Sequence, residues 1–180
     1  MNKTILVTGG LGFIGSHFIL NKIDTDPNTK IINLDAITYA ANPDHLNPIN
    51  HHPNYHFMKG NIEDKEMIEQ AFEKHQITDV IHFAAESHVD NSITGPETFI
   101  KTNINGTFNL LQTAYQHWMT GPNQIKPGFE QSRFHHISTD EVYGTLGQTG
   151  AFSENTPYDP SSPYSASKAA SDHLVNCYFK

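Results

Sequence analysis

Short apolar runs alternate along this chain with stretches of helical period. The runs are residues 4–8 (TILVT), 30–34 (KIINL), 55–59 (YHFMK), 79–83 (DVIHF) and 133–137 (RFHHI). Their length, and the β-branched residues of the first, second and fourth runs, predict parallel strands, the inner ones buried on both faces. Between the runs the period lengthens. Ile14/Phe18 and Ile19/Ile23 form i, i+4 apolar pairs after the first run, and Met67, Ile68, Ala71, Phe72 and His75 share one stripe after the third. Pro96 suits the first turn of a long helix that reaches about Trp118, and a last helix begins near Tyr164. Residues 36–54 read mostly as loop with one short helical turn, while 120–132 and 145–162 read as polar loops. The alternation of strand and helix predicts an α/β fold, a doubly wound parallel sheet in strand order 3-2-1-4-5 with helices on both faces. No internal repeat or long linker divides the chain, so its 180 residues are expected to form one domain.

The helix at 96–118 is apolar around most of its circumference, through Phe99, Ile104, Phe108, Leu110, Leu111, Ala114, Tyr115 and Trp118. A helix lying on one sheet face needs one stripe. The surplus predicts a second covered face, under another domain or against a partner subunit.

Composition then narrows the classes of function. A formal charge of −8 argues against a phosphate-backbone footprint, so no nucleic acid is expected. The single Cys177 excludes an internal disulfide and suits a reducing compartment. The N-terminal apolar run is too short for a signal peptide and no stretch approaches a membrane span, so a cytoplasmic protein with no membrane partner is expected. Among the histidines, His51, His52 and His56 come closest to a metal cluster. Their spacing fits no zinc signature and no cysteine stands nearby, so no metal is expected.

Candidate chemistry collects at the strand ends. The first run opens into Gly9-Gly10-Leu11-Gly12-Phe13-Ile14-Gly15, a turn that lets a pyrophosphate approach the backbone at a helix N-terminus. The second run ends in Asp35, whose carboxylate can accept both ribose hydroxyls of NAD and would repel the 2′-phosphate of NADP. The fourth ends in Ala84-Ala85-Glu86-Ser87-His88, small residues against which a flat cofactor can lie. The fifth ends in Ser138-Thr139-Asp140-Glu141, at the edge where open α/β sheets bind ligands. Tyr164 and Lys168, four residues apart, share a helix face, and an ammonium beside a phenol favours the phenolate. Taken singly, a Y-x-x-x-K is an exposed helix pair and Asp140-Glu141 an acidic turn. Together they meet the glycine turn at one end of one sheet.

The stretches TGGLGFIG, AAESHVDNSITGP, HISTDEVYG and SPYSASKAASDH, with Asp35, resemble the extended short-chain dehydrogenase/reductase superfamily. Within it the sequence is similar to the N-terminal half of the dTDP-glucose 4,6-dehydratases. The glycine turn and Y-x-x-x-K are shared with sugar epimerases; the triplet Thr139-Asp140-Glu141 is more specific. The resemblance implies a Rossmann-type domain over residues 1–180 that carries the catalytic residues, with a C-terminal substrate domain absent from this sequence. It implies NAD as cofactor, lined by Gly9, Gly12, Phe13, Ile14, Gly15, Asp35, Asn61, Ile62, Ala84, Ala85, Thr102, Ser138, Tyr164 and Lys168. The implied substrate is dTDP-glucose, touched by Ser87 and Thr139.

The implied roles are these. Tyr164 as phenolate takes the C4 hydroxyl proton while C4 gives hydride to NAD, Lys168 holds the phenolate and the nicotinamide ribose, and Thr139 bonds the C4 oxygen. Glu141 removes the C5 proton, Asp140 protonates the departing C6 hydroxyl, and hydride returns to C6. In a partly dry site the acidic pair can divide into base and acid. Two positions depart from the family pattern: Asn61 stands where Asp is usual and Ala36 where Lys is common. The resemblance also implies a homodimer through the helices near 96–118 and 164–180, and without the further domain the fifth strand is expected to be an uncovered edge. Two other readings stay open, a catalytically silent NAD-binding or dimerisation fragment and a nucleotide-sugar 4-epimerase-like enzyme.

Overall fold

Strand β1 (Thr4–Thr8), buried along its length, runs into α1 (Phe13–Thr25) and β2 (Lys30–Asp35). A 3-10 turn (Pro43–Ile49) leads to β3 (Tyr55–Lys59), α2 (Lys65–His75) and β4 (Asp79–His82). Next come α3 (Val89–Thr94), α4 (Pro96–Phe99), a π-helical segment (Ile100–Gly106) and α5 (Thr107–Trp118). The hairpin strands β5 (Met119–Gly121) and β6 (Gln124–Ile125) precede β7 (Arg133–His136), a 3-10 turn (Asp140–Tyr143) and α6 (Pro163–Phe179). This computed structural model describes residues 3–179.

The main sheet is wholly parallel in the order β3-β2-β1-β4-β7. That is the expected 3-2-1-4-5 arrangement, with β7 as its fifth strand because the hairpin intervenes. Thr8 pairs with both Leu34 and His82, so three strands finish level beneath one cleft. Side-chain alternation sorts the core onto two faces. Leu6, Ile32, Leu34 and Val80 meet Ile68 and Phe72 of α2 and Leu110, Ala114 and Trp118 of α5. Ile5, Val7 and Ile31 meet Ile19 and Ile23 of α1 and Leu46 of the first 3-10 turn. Each fully buried Leu, Ile, Val or Phe among them contributes roughly 1.5–3 kcal/mol, and this packing fixes the level at which the strand ends stand.

The structure departs from the expected elements in three places. The helix over 96–118 is not regular: α4 and α5 are joined through the π turn, at the buried Asn103. The Asn103 carboxamide accepts from the Glu86 N–H (2.8 Å) and donates to the Glu86 carbonyl (3.0 Å) and Ser167 Oγ (2.9 Å). No periodicity of apolar residues reports such a bond set. The expected polar loop at 120–132 contains the antiparallel hairpin, turned at Pro122-Asn123, with Asn123 at φ 58°. The short helix α3 was also not expected.

The apolar surplus of the long helix is covered in part by the chain itself. α6 lies against α4 and α5, with Tyr164 6.3 Å from Phe99 and Tyr178 6.1 Å from Tyr115 between ring centroids, and Tyr178 Oη donating to Gln112 Oε1 at 2.6 Å. Ile100 and Phe108 stay about half exposed. Among the described residues strand β7 is an edge, paired only with β4. Among the described residues no helix is long and apolar enough to cross a membrane.

Candidate active site

The glycine turn divides its labour. Gly9 has φ +71°, and a Cβ there would stand 2.6 Å from the Ala84 nitrogen. A Cβ on Gly15 would run into the Gly9 carbonyl oxygen. These two glycines let the turn, β4 and the helix approach closely. Gly12 differs: its φ of −72° is open to any residue, and a Cβ would meet only the Gly9 oxygen, at 3.3 Å, with the rest of its space opening to the cleft. Gly12 caps α1 with no side-chain hydrogen bond, and no acidic residue occupies the first turn. The first amides of α1 and its positive dipole end therefore face the cleft uncompensated, a ready place for an anion.

Asp35, buried at the end of β2, ties this turn to its neighbour. Leu11 N–H donates to Oδ2 at 2.9 Å and Ile37 N–H to Oδ1 at 2.8 Å. Each oxygen keeps a lone pair for a further donor. The Asp35 turn also holds Ile37 at φ 55°, a strained conformation for a β-branched residue.

The cleft encloses about 610 Å³, within the usual range for a cofactor site. Its lining includes every residue the resemblance gave to the cofactor, together with Ser87. Phe13 (73% exposed) and Ile14 (63% exposed) form a bare apolar lip. Asn61 Oδ1 already accepts from Glu63 N–H at 3.0 Å, and Thr102 Oγ1 donates to Glu63 Oε1 at 2.7 Å. The acceptor oxygen of Asn61 is thus partly engaged before any ligand arrives. Thr38, Ala40, Ala41, Glu63 and Thr98 also line the cleft. They come from segments whose sequence carries no cofactor signal of its own.

Tyr164 and Lys168 stand on consecutive turns of α6, both buried, and both line the cleft beside Ser138. Their electrostatics differ from the expectation. Burial pushes the Tyr164 phenol up, a hydrogen bond with Thr139 draws it down, and the carboxylates of Glu141 and Asp140 push it up again, leaving it above its ordinary value. Lys168 Nζ donates to the Ile137 carbonyl at 2.7 Å instead of poising the phenol, and burial lowers its pKa to about 8 against the opposing charge of Asp172.

The acidic doublet also sits differently. Thr139 caps the 3-10 turn, its Oγ1 accepting from Glu141 N–H at 3.3 Å. Asp140 and Glu141 that follow are exposed, not in a dry pocket. Asp140 and Thr139 line a second hollow of about 580 Å³ beside β7, whereas Glu141 lines neither space. The doublet is near enough to Tyr164 for its field to be felt there, but a dry carboxylate pair is absent from this arrangement: the turn that Thr139 caps carries both side chains to the rim.

Asp172 was missed, although its place one turn beyond Lys168 continues the stripe Tyr164, Lys168, Asp172 and was readable at i, i+4, i+8. Asn103, which pins the Glu86 backbone at the cleft wall, had no comparable signal.

Comparison with known proteins fits this geometry. The family model for GDP-mannose 4,6 dehydratase matches residues 6–180. The chain is 50% identical over 175 residues to a dTDP-glucose 4,6-dehydratase of Xanthomonas campestris pv. campestris (strain B100), covering 97% of this chain and 48% of the relative. It is 52% identical over 177 residues to a dTDP-glucose 4,6-dehydratase of Haemophilus influenzae, covering 98% and 51%. Among solved structures, the dTDP-glucose 4,6-dehydratase of Bacillus anthracis in complex with NAD superposes with a TM-score of 0.82 at 39% identity, over 98% of this chain and 50% of that one. A UDP-glucose 4-epimerase of Thermus thermophilus in complex with NAD gives a TM-score of 0.80 at 30% identity, over 97% and 50%. The chain spans about half the length of the curated relatives it matches.

Proposed function

This chain belongs to the GDP-mannose 4,6 dehydratase family, and from that premise we propose that it is the NAD-binding and catalytic half of an enzyme that dehydrates dTDP-glucose to the 4-keto-6-deoxy sugar. The observation that carries the reading is the shared cleft: one space lined by the open Gly12, Asp35, Ser138, Tyr164 and Lys168. The similarity to dTDP-glucose 4,6-dehydratases at about half identity supports the substrate, and relatives solved with NAD support the cofactor.

The residues fit a dinucleotide. The space a Gly12 Cβ would fill suits a pyrophosphate over the amides of α1, and the free lone pairs of Asp35 suit ribose hydroxyls. NAD, when bound, would accept hydride from the sugar C4 and give it back at C6 once water has left, so that no net oxidant is consumed and C4 stays a ketone. The chain's own side chains handle the protons. Tyr164 Oη takes the proton of the C4 hydroxyl and Thr139 Oγ1 donates to the C4 oxygen. In the arrangement described above Tyr164 holds its proton, because burial and the acidic doublet disfavour the phenolate. Turning Lys168 Nζ from the Ile137 carbonyl toward the phenol supplies the missing positive charge. Glu141 then takes the C5 proton and Asp140 protonates the C6 oxygen as water leaves. Their exposure requires that a bound sugar, or chain packed over the rim, exclude water from that turn.

Two assays test the reading. Calorimetric titration should show NAD bound and NADP bound much more weakly. Incubation with dTDP-glucose should yield a product lighter by one water; interconversion of 4-epimers with no loss of water would overturn the dehydratase reading. A second reading, a binding fragment without turnover, is favoured by the rim position of Asp140 and Glu141. It predicts NAD binding with no sugar product.

A further inference from the structure

Two side chains of α6, one turn apart, grip two consecutive residues at the end of β7. Lys168 Nζ holds the Ile137 carbonyl at 2.7 Å, and Asp172 Oδ2 accepts from Ser138 Oγ at 2.6 Å. Thr139 comes next in the chain. Tyr158 Oη donates to the same Asp172 oxygen at 3.1 Å, and His136 Nε2 lies 3.3 Å from Oδ1. Asp172 is 9% exposed and Lys168 4%. We propose that Asp172 is a positioning residue for the Tyr164/Lys168 pair: its carboxylate is the counter-charge of the buried Lys168 ammonium and the anchor that keeps Ser138-Thr139 in place when Lys168 releases Ile137. The importance of that role rests on the reading of Lys168 above.

The surrounding charges assign the carboxylate to the lysine. The other titratable groups near the hollow are His82 on β4, His135 and His136 on β7, Asp140 and Tyr143 on the 3-10 turn, Tyr158 on the loop before α6, and His173 on α6, whose ring lies 4.9 Å from that of Tyr158. Burial holds His82 neutral, well below its ordinary value, and also lowers His136. The Tyr158 phenol is pushed up to about 12 by burial and by Asp172, so it stays a donor. Burial pushes Asp172 up as well, but the neighbouring His136 ring and the hydrogen bonds from Ser138 and Tyr158 outweigh it and hold the carboxyl below its ordinary value. The Asp172 carboxylate therefore faces the Lys168 ammonium, which holds the adjoining Ile137 carbonyl from the same helix face, and neither buried histidine competes for it near neutral pH. The sequence of events also needs a second grip. A lysine that must leave Ile137 cannot alone fix the strand end, whereas Asp172 on the same helix face retains Ser138 throughout.

The test reads Lys168 directly by 15Nζ-detected NMR titration of the chain without cofactor, with NAD affinity measured on the same samples. In Asp172→Asn the Lys168 midpoint should fall by about one pH unit, and in Asp172→Glu it should stay near wild type. Ser138→Ala, which removes a hydrogen bond but no charge, should leave the midpoint in place. An unmoved midpoint in a folded Asp172→Asn protein overturns the counter-charge role. If that variant does not fold, Lys168→Met serves in its place: the Asp172 carboxyl, followed by 13Cγ shift, must titrate at higher pH than in wild type, and an unchanged value overturns the proposal. The NMR midpoints do not depend on cofactor binding, so failure of the dehydratase reading and failure of this one are separable.

Discussion

Single residues decide what the cleft can hold. Gly9 and Gly12 are equivalent in the motif but not in space, so their alanine variants should separate. Gly9→Ala places a side chain at φ +71° against the β4–α3 backbone and should lower stability by roughly 2 kcal/mol or more, read by denaturant unfolding. Gly12→Ala keeps an allowed backbone and meets one oxygen at 3.3 Å. It should unfold near wild type yet bind NAD at least about tenfold more weakly, near 1.4 kcal/mol; unchanged affinity would remove Gly12 from the proposed pyrophosphate site. His82 gives a pH signature. Its ring lies 2.7 Å from Thr8 Oγ1 and 2.9 Å from Thr107 Oγ1, and burial holds its pKa well below the ordinary value. The unfolded chain takes up a proton near pH ~6.5 that the fold refuses, so stability is full above that value and declines as pH falls below it. The slope from this group approaches ~1.4 kcal/mol per pH unit. His82→Gln should be less stable at pH 7.5 but show a shallower decline toward pH 5 in denaturation curves.

Elements set the precision with which those residues meet. Helix α2 shows how a local rule reads directly from sequence: Asp64 caps its start by accepting from Met67 N–H, and lysine and histidine occupy its last turn. Its end is less well matched, since Gln76 carries the left-handed cap at φ 53° where glycine is preferred. Gln76→Gly should therefore raise stability by about 0.5–1 kcal/mol, measured by thermal unfolding, without altering NAD binding. The π segment works in the other direction, giving up helical regularity to seat Asn103 against Glu86 and Ser167. Asn103→Ala leaves the Glu86 N–H without its side-chain acceptor and the cleft wall unpinned. A loss of about 1–3 kcal/mol is expected, together with weaker NAD binding; a stability loss with affinity unchanged would confine Asn103 to a packing role.

At the scale of the molecule, half-exposed Ile100 and Phe108 remain on the helical layer after α6 has covered its share. Together with the homodimer that the resemblance implies through the helices near 96–118 and 164–180, they predict self-association. Sedimentation velocity should show a dimer at micromolar concentration, and Phe108→Glu should shift it toward monomer; a monomeric wild-type chain would assign the apolar surplus to another domain. The sheet itself was legible throughout. Short apolar runs alternating with helical stretches admit few arrangements once crossovers are right-handed, and the observed order β3-β2-β1-β4-β7 is the expected one among them. The hairpin and the π turn were not legible, because backbone hydrogen bonds to distant partners leave no periodic trace.

By itself the sequence determined the strand ladder, the glycine turn, Asp35 at its proper distance, and the Tyr164/Lys168 spacing, because each depends on residues near one another in the chain and on a fixed helical or strand repeat. Only the tertiary structure decided where charge resides. Lys168 rests on Ile137 and faces Asp172, Tyr164 is held protonated, and Asp140 and Glu141 stand at the rim. Burial and the company of groups from other elements set those states, and neither is a property of any single stretch of chain.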